Sequence, residues 1–176
     1  MTAGVLLYGA PASGKDTVTT ALSRIDQRFQ LFQRLKDGPG RTNGYRMVSS
    51  DEFDKLLDAG ALIWSNARYG ARYAIDKPGL LQLLDAGCIP VVHAGQPGVI
   101  TAVTNATPNV RWVTVELRTD RATARARIEG RATGDLNARL QAWDETVALA
   151  TAELTIDTAS TPPDVAAAAI RDLACQ

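Results

Sequence analysis

Apolar positions along the chain fall into two rhythms. Gly4–Tyr8, Ile89–His93 and Trp112–Leu117 are short, nearly unbroken apolar runs, the pattern of strands buried on both faces. Between them, apolar residues recur every third or fourth position, the period of a helix with one buried side. Lys15–Ile25 sets Val18, Ala21 and Leu22 on one side; Asp51–Ala59 does the same with Phe53, Leu56 and Leu57 behind a Ser50 N-cap. Pro78 starts a helix that runs to Asp85 and stops at Gly87, and Pro97 opens another through Ala102. Arg121–Ile128, Asp135–Ala150 and Pro163–Leu173 complete the helices. Phe29–Phe32, Tyr45–Val48, Ala61–Trp64 and Leu154–Ile156 read as further short strands.

Strands alternating with helices predict an α/β fold on a parallel central sheet. The alternation lapses between Phe32 and Tyr73. There the turn signals Asp37-Gly38-Pro39-Gly40 and Asn43-Gly44 predict a largely looped insertion, followed after Trp64 by a segment rich in Tyr and Arg. Residues 1–176 form one domain on this reading, with residues 32–73 as a lobe inside it.

Charge and cysteine usage narrow the partners. Lys plus Arg and Asp plus Glu number 19 each, so no broad basic field points to nucleic acid. Four of the cations are Lys and the rest Arg, the residue that grips phosphate bidentately. Cys88 and Cys175 form no metal or redox motif. No stretch is apolar for long enough to span a membrane, and the N-terminus lacks the pattern of a signal peptide. The expectation is a cytoplasmic protein, monomer or homodimer, whose partner is a small molecule rather than nucleic acid or membrane.

The chemistry is concentrated in Gly9-Ala10-Pro11-Ala12-Ser13-Gly14-Lys15-Asp16-Thr17, which follows the first strand and opens the first helix. This is a phosphate-binding loop in the context it requires. Gly9 and Gly14 allow close approach of backbone to phosphate. The intervening amides point inward as donors, and the helix adds its positive end. Lys15 reaches the β- and γ-phosphates of a nucleoside triphosphate. Asp16 stands where a Ser or Thr usually follows the lysine, and Thr17 comes one position late. Asp16 either approaches a magnesium ion, directly or through water, or caps the helix and braces the loop.

With that loop in place, the chain resembles the guanylate-kinase-like group of P-loop kinases. The likeness is carried by the order Tyr45-Arg46-Met47-Val48-Ser49, Asp51-Glu52-Phe53, Ile63-Trp64 and Tyr69-Gly70, then Arg127-Ile128-Glu129-Gly130-Arg131 and Arg139-Leu140. It runs from the first strand to about Thr158. The Gly-Lys-Asp ending of the loop is similar to the branch that phosphorylates ribose 1,5-bisphosphate. The resemblance implies a three-layer P-loop kinase fold with a parallel central sheet. It also implies that residues 32–73 are an acceptor-binding lobe, and residues 125–139 an arginine-bearing lid. ATP and Mg2+ are the implied cofactors, and a phosphorylated small molecule the acceptor. In such kinases two arginines and two tyrosines hold the acceptor phosphate. Here Arg34 matches the first arginine, Lys36 or Arg41 takes the place of the second, and Tyr45 and Tyr69 match the tyrosines.

Arg127, Arg131 and Arg139 are the implied lid residues, stabilising the transferring phosphoryl group together with Lys15. Arg127 and Arg131 share a helix face if the helix continues through Gly130; that glycine alternatively bends them inward. A solvated arginine-rich helix is the plain alternative. His93, the single histidine, ends a central strand, where open α/β sheets bind ligands. It either contacts the acceptor or is a satisfied, half-buried side chain. Trp64 and Trp143 read as packing residues.

GMP is not the expected acceptor. Guanylate kinases carry a Glu just before the tryptophan of this segment, where Ile63 stands here. The strand that ends there in an Asp-containing turn reads Val91-Val92-His93-Ala94-Gly95-Gln96. Without those carboxylates the guanine N–H groups lack acceptors, a costly mismatch. The alternatives are ribose 1,5-bisphosphate phosphorylation, a guanylate or other nucleoside-monophosphate kinase, and a nucleotide-binding sensor without turnover.

Overall fold

The computed structural model describes residues 2–131 and 135–176. Five parallel strands form the central sheet, in the order β2 (Phe29–Leu31), β7 (Ile89–Ala94), β1 (Ala3–Tyr8), β8 (Arg111–Arg118), β9 (Leu154–Asp157). Period-two alternation in β1 explains how it serves two cores. Val5 and Leu7 face α1 (Lys15–Ile25) and α7 (Pro163–Ala174), while Leu6 and Tyr8 face α3 (Lys77–Asp85) and α4 (Pro97–Ala106). All four side chains are fully buried. The result is three layers, helix, sheet and helix.

The region expected to be mostly loop is a second sheet. Its order is β4 (Tyr45–Met47), β3 (Arg34–Asp37), β6 (Ala71–Asp76), β5 (Leu62–Arg68). β5 and β6 form a hairpin in which Arg68 pairs with Ala71. That leaves Tyr69 and Gly70 as a two-residue turn, both at positive φ (54° and 72°), the geometry of a type I′ turn. One face of this sheet places Leu35 and Ala74 on Phe53 and Leu56 of α2 (Ser50–Asp58). The opposite face carries Arg34, Lys36 and Tyr73 towards a cavity.

Two boundaries differ from the sequence expectation for local reasons. Ser49, not Ser50, caps α2, because Ser49 and Glu52 form a reciprocal capping box. The helix expected over Asp135–Ala150 is α6 (Leu136–Asp144). Beyond it the backbone is claimed by the core: Tyr8 Oη donates to Val147 O at 2.6 Å, and Leu149 N donates to Glu116 Oε1 at 3.2 Å. α5 (Arg121–Glu129) stops at Gly130, so Arg127 and Arg131 do not share a continuous helix. Residues 132–134 of the expected lid lie outside the described residues. α5 and α6 pack Ala124, Ile128 and Leu140 against Ala12 of the phosphate-binding loop. Among the described residues, no helix is long and apolar enough to cross a membrane.

Candidate active site

The loop Gly9–Gly14 leaves the end of β1 and enters α1. A Cβ on Gly9 would fall 2.6 Å from Leu117 O and 2.4 Å from Ser13 Oγ, so only glycine fits. Gly14 adopts φ 95°, and no side chain caps the helix it precedes. The first N–H groups of α1 are therefore left for a ligand at the loop's mouth. The loop is clasped from behind: Arg127 Nη1 donates to Ala12 O (3.0 Å) and Nη2 to Thr158 O (2.9 Å). The Thr158 hydroxyl donates to Ser13 O at 2.8 Å. Arg127 is expected from the sequence as a catalytic lid residue, and in the structure its side chain clasps the loop from behind. It does not line the cavity, because its guanidinium is spent on carbonyls of the loop and of the segment after β9.

In the structure Lys15 folds onto its own loop, donating to Gly9 O (2.6 Å) and Ala10 O (2.9 Å). Burial pushes its amine down to about 8. Beside it, Asp16 Oδ2 lies 3.1 Å from Arg41 Nη1, and Asp16 Oδ1 lies 3.7 Å from His93 Nδ1. Burial alone would raise the Asp16 carboxyl; the opposing charges of His93 when protonated and of Arg41 hold it below the usual range. Burial, then the neighbouring Lys15 charge, pushes His93 down to about 3. The ring is thus neutral, with Nε2 2.7 Å from Thr19 Oγ1. With Thr19 donating to Nε2, the ring hydrogen sits on Nδ1, towards Asp16.

A cavity of about 830 Å3 joins this loop to the second sheet. On its far side Lys36 Nζ sits 5.5 Å from the Tyr45 ring centre and 5.7 Å from that of Tyr73, and donates to Arg41 O at 2.7 Å. Arg34 donates from Nη2 to His93 O, and its guanidinium lies 5.2 Å from the Trp64 ring centre. Burial pushes Arg34 down to about 10. Arg139 pairs with Asp135 at 2.7 Å and lies 5.3 Å over Tyr69. Each of these four rings therefore holds a cation.

Lys15, Arg34, Lys36, Arg41, Tyr45 and Tyr69 all line this one cavity. His93, Arg131 and Arg139 line it too, and so do Gly9, Pro11, Ala12, Ser13, Gly14 and Asp16 of the loop. Ala10 and Thr17, read from the motif as nucleotide-binding residues, do not. The sequence reading missed Tyr73, Asn66 and Arg68, and assigned Trp64 to packing alone. Trp64, Asn66 and Arg68 alternate along β5, so their two-residue spacing was the available signal. Two carboxylates line the cavity among the described residues, Asp16 and Asp135. Among the described residues, no group of three or more His, Cys, Asp or Glu side chains gathers into a metal cluster. Asp16 alone fits the way magnesium is held beside nucleotide phosphates, by one or two carboxylates with waters and phosphate oxygens.

No protein-family model matches the chain, and no curated protein does. Solved structures do. A guanylate kinase from Anaplasma phagocytophilum superposes with a TM-score of 0.67 over 99% of this chain and 86% of that one, at 16% identity. A gluconokinase from Sinorhizobium meliloti 1021 superposes at 0.50, covering 98% and 94%, at 15% identity. The chain has the P-loop kinase fold.

Proposed function

We propose that the protein is an ATP- and magnesium-dependent kinase that transfers the γ-phosphoryl group to a small phosphorylated acceptor, a nucleotide or sugar phosphate other than GMP. The observation that carries this reading is a single cavity with a phosphate-binding loop on one wall and buried cations on the other. Lys15, Arg34 and Lys36 have no carboxylate partner among the described residues. Cations placed in that way await ligand anions. ATP phosphates would lie at Gly9–Asp16, with Asp16 beside the metal. The acceptor phosphate would lie among Arg34, Lys36, Tyr45 and Tyr73, and Arg131 and Arg139 would close over the transferring group.

The structural neighbours include one kinase named for a nucleotide and one named for a sugar acid. The cavity favours the second kind of acceptor body. Among the described residues its two carboxylates are paired with Arg41 and Arg139, so neither stands free to accept from guanine N–H groups. Trp64, Tyr45, Tyr73 and Tyr69 each turn a face to a cation rather than offering a free platform for a base. A densely anionic sugar such as ribose 1,5-bisphosphate matches this surplus of positive charge.

The test is transfer of label from γ-labelled ATP with magnesium to a panel of nucleoside monophosphates, ribose 1,5-bisphosphate, other sugar phosphates and gluconate. Transfer to a phosphorylated acceptor, with GMP poor, is expected. Preference for GMP or for an unphosphorylated acceptor would overturn the acceptor assignment. ATP binding without transfer to any of them would favour a sensor.

A further inference from the structure

The segment joining β3 to β4 touches both halves of the site through one residue. Arg41 Nη1 lies 3.1 Å from Asp16 Oδ2 in the first turn of α1. The Arg41 carbonyl accepts Lys36 Nζ at 2.7 Å, the same ammonium that sits over Tyr45 and Tyr73. Gly38, Gly40 and Gly44 flank Arg41 at φ 129°, 89° and 86°. The segment is thus bent where L side chains rarely go, and Arg41 reaches outward from it. The Arg41 and Asp16 side chains are 45% and 42% exposed, so exchanging their contact for a ligand opens no core.

We infer that Asp16 and Arg41 are a positioning pair that makes phosphate binding on the acceptor wall depend on the magnesium-bound nucleotide at the loop. The inference rests on the kinase reading above. In the structure Asp16 holds the Arg41 guanidinium, and the Arg41 carbonyl holds Lys36. Two cations of the acceptor wall are therefore engaged with protein. Asp16 is also the carboxylate next to Lys15, and in engaging a magnesium ion beside nucleotide phosphates it gives up Arg41. The freed guanidinium turns to the acceptor phosphate, and the shifted carbonyl leaves Lys36 free to do the same. A neutral Ser or Thr at position 16 would have no charge with which to hold Arg41. An ion pair this exposed is weak, so the link is graded, about fivefold in affinity.

The test keeps the nucleotide site filled. AMP-PCP, an ATP analogue whose methylene bridge resists transfer, is kept saturating with either Mg2+ or EDTA, and inorganic phosphate is titrated by calorimetry. With the γ-position occupied, phosphate reports on the acceptor wall. In the unaltered protein Mg2+ is expected to tighten phosphate by about fivefold. In Asp16→Asn, phosphate binds equally in both arms, at the tighter affinity. In Arg41→Gln it binds equally in both arms at the weaker one, while Arg41→Lys, which keeps the charge, retains part of the magnesium effect. A purely structural role would lower affinity in both arms and leave their ratio intact. The inference is overturned if Mg2+ has no effect on the unaltered protein, or the same effect in Asp16→Asn. Failure of AMP-PCP to bind in either arm would instead remove the nucleotide reading, and this inference with it.

Discussion

Lys15 is a charged amine whose burial pushes it to about 8, and its partners in the structure are carbonyl oxygens of its own loop. Only the protonated form holds phosphate, so the competent fraction falls as pH rises through that value. Bound phosphate reverses the trend, since a neighbouring anion favours the ammonium. The expected outcome is a kcat/KM for ATP that declines above about pH 8 while kcat stays level over the same window. A kcat/KM that stays flat to about pH 9.5 counts against the assignment. Lys15→Ala should lower kcat by about a hundred- to a thousandfold, the range for losing one preorganised stabilising group. His93 carries the opposite expectation. Pushed to about 3 by burial and then by Lys15, it is neutral throughout the working range. His93→Gln, which keeps a polar partner for Thr19, should leave the acid side of the rate profile unchanged between about pH 5 and 8. An acid limb near the usual histidine value that disappears in this variant would contradict the structure. Sequence alone could locate these residues but not their charge states, because those depend on which buried cations fold brings beside them.

At the scale of elements, the central layers were legible because a strand buried on both faces writes a continuous apolar run. The second sheet was not. In β3 the cavity face carries Arg34 and Lys36 and only Leu35 faces the core of α2, so the usual meaning of alternation is inverted and one apolar residue is too short a pattern. β6 was hidden behind the Tyr/Arg-rich segment for the same reason. The Tyr69-Gly70 turn was visible as letters, but its strain was not. A tyrosine at φ 54° is uncommon, and Asn favours that position of a type I′ turn. Tyr69 stays useful as the ring beneath Arg139, 5.3 Å from its guanidinium. Tyr69→Asn should therefore raise the melting temperature by roughly 2–4 °C, from about 1 kcal/mol of relieved strain. The same change should raise the acceptor KM several-fold as the acceptor loses the Tyr69 hydroxyl, and lower kcat as Arg139, placed at the transferring group, loses its platform. A variant that is both more stable and unchanged in KM and kcat would show that the tyrosine serves neither ring packing nor the acceptor.

At the scale of the whole molecule, the cavity lies between two sheets whose facing walls both carry unpaired positive charge. Burial first, and then the neighbouring Arg34 and Arg131 charges, push Lys15 down, and Lys36 has a carbonyl and two aromatic rings for company but no carboxylate. Folding therefore gathers like charges around one cavity, at a cost that a polyanion offsets by binding the native state alone. A ligand at about a hundred times its dissociation constant stabilises by about 2.7 kcal/mol. For a chain of this size that corresponds to roughly 5–10 °C in melting temperature. ATP should produce such a shift, and sodium chloride at equal ionic strength should not, because screening lacks the geometry of the loop. The two walls can then be separated by substitution. Lys15→Ala should abolish the ATP shift. Lys36→Met, with a side chain of similar length but no charge, should preserve that shift while losing the additional one from an accepted sugar phosphate. If both variants lose both shifts equally, the walls act as one anion site, and the division into nucleotide and acceptor sides fails. If chloride matches ATP, the charge is a diffuse surface property and the loop has no special claim on phosphate.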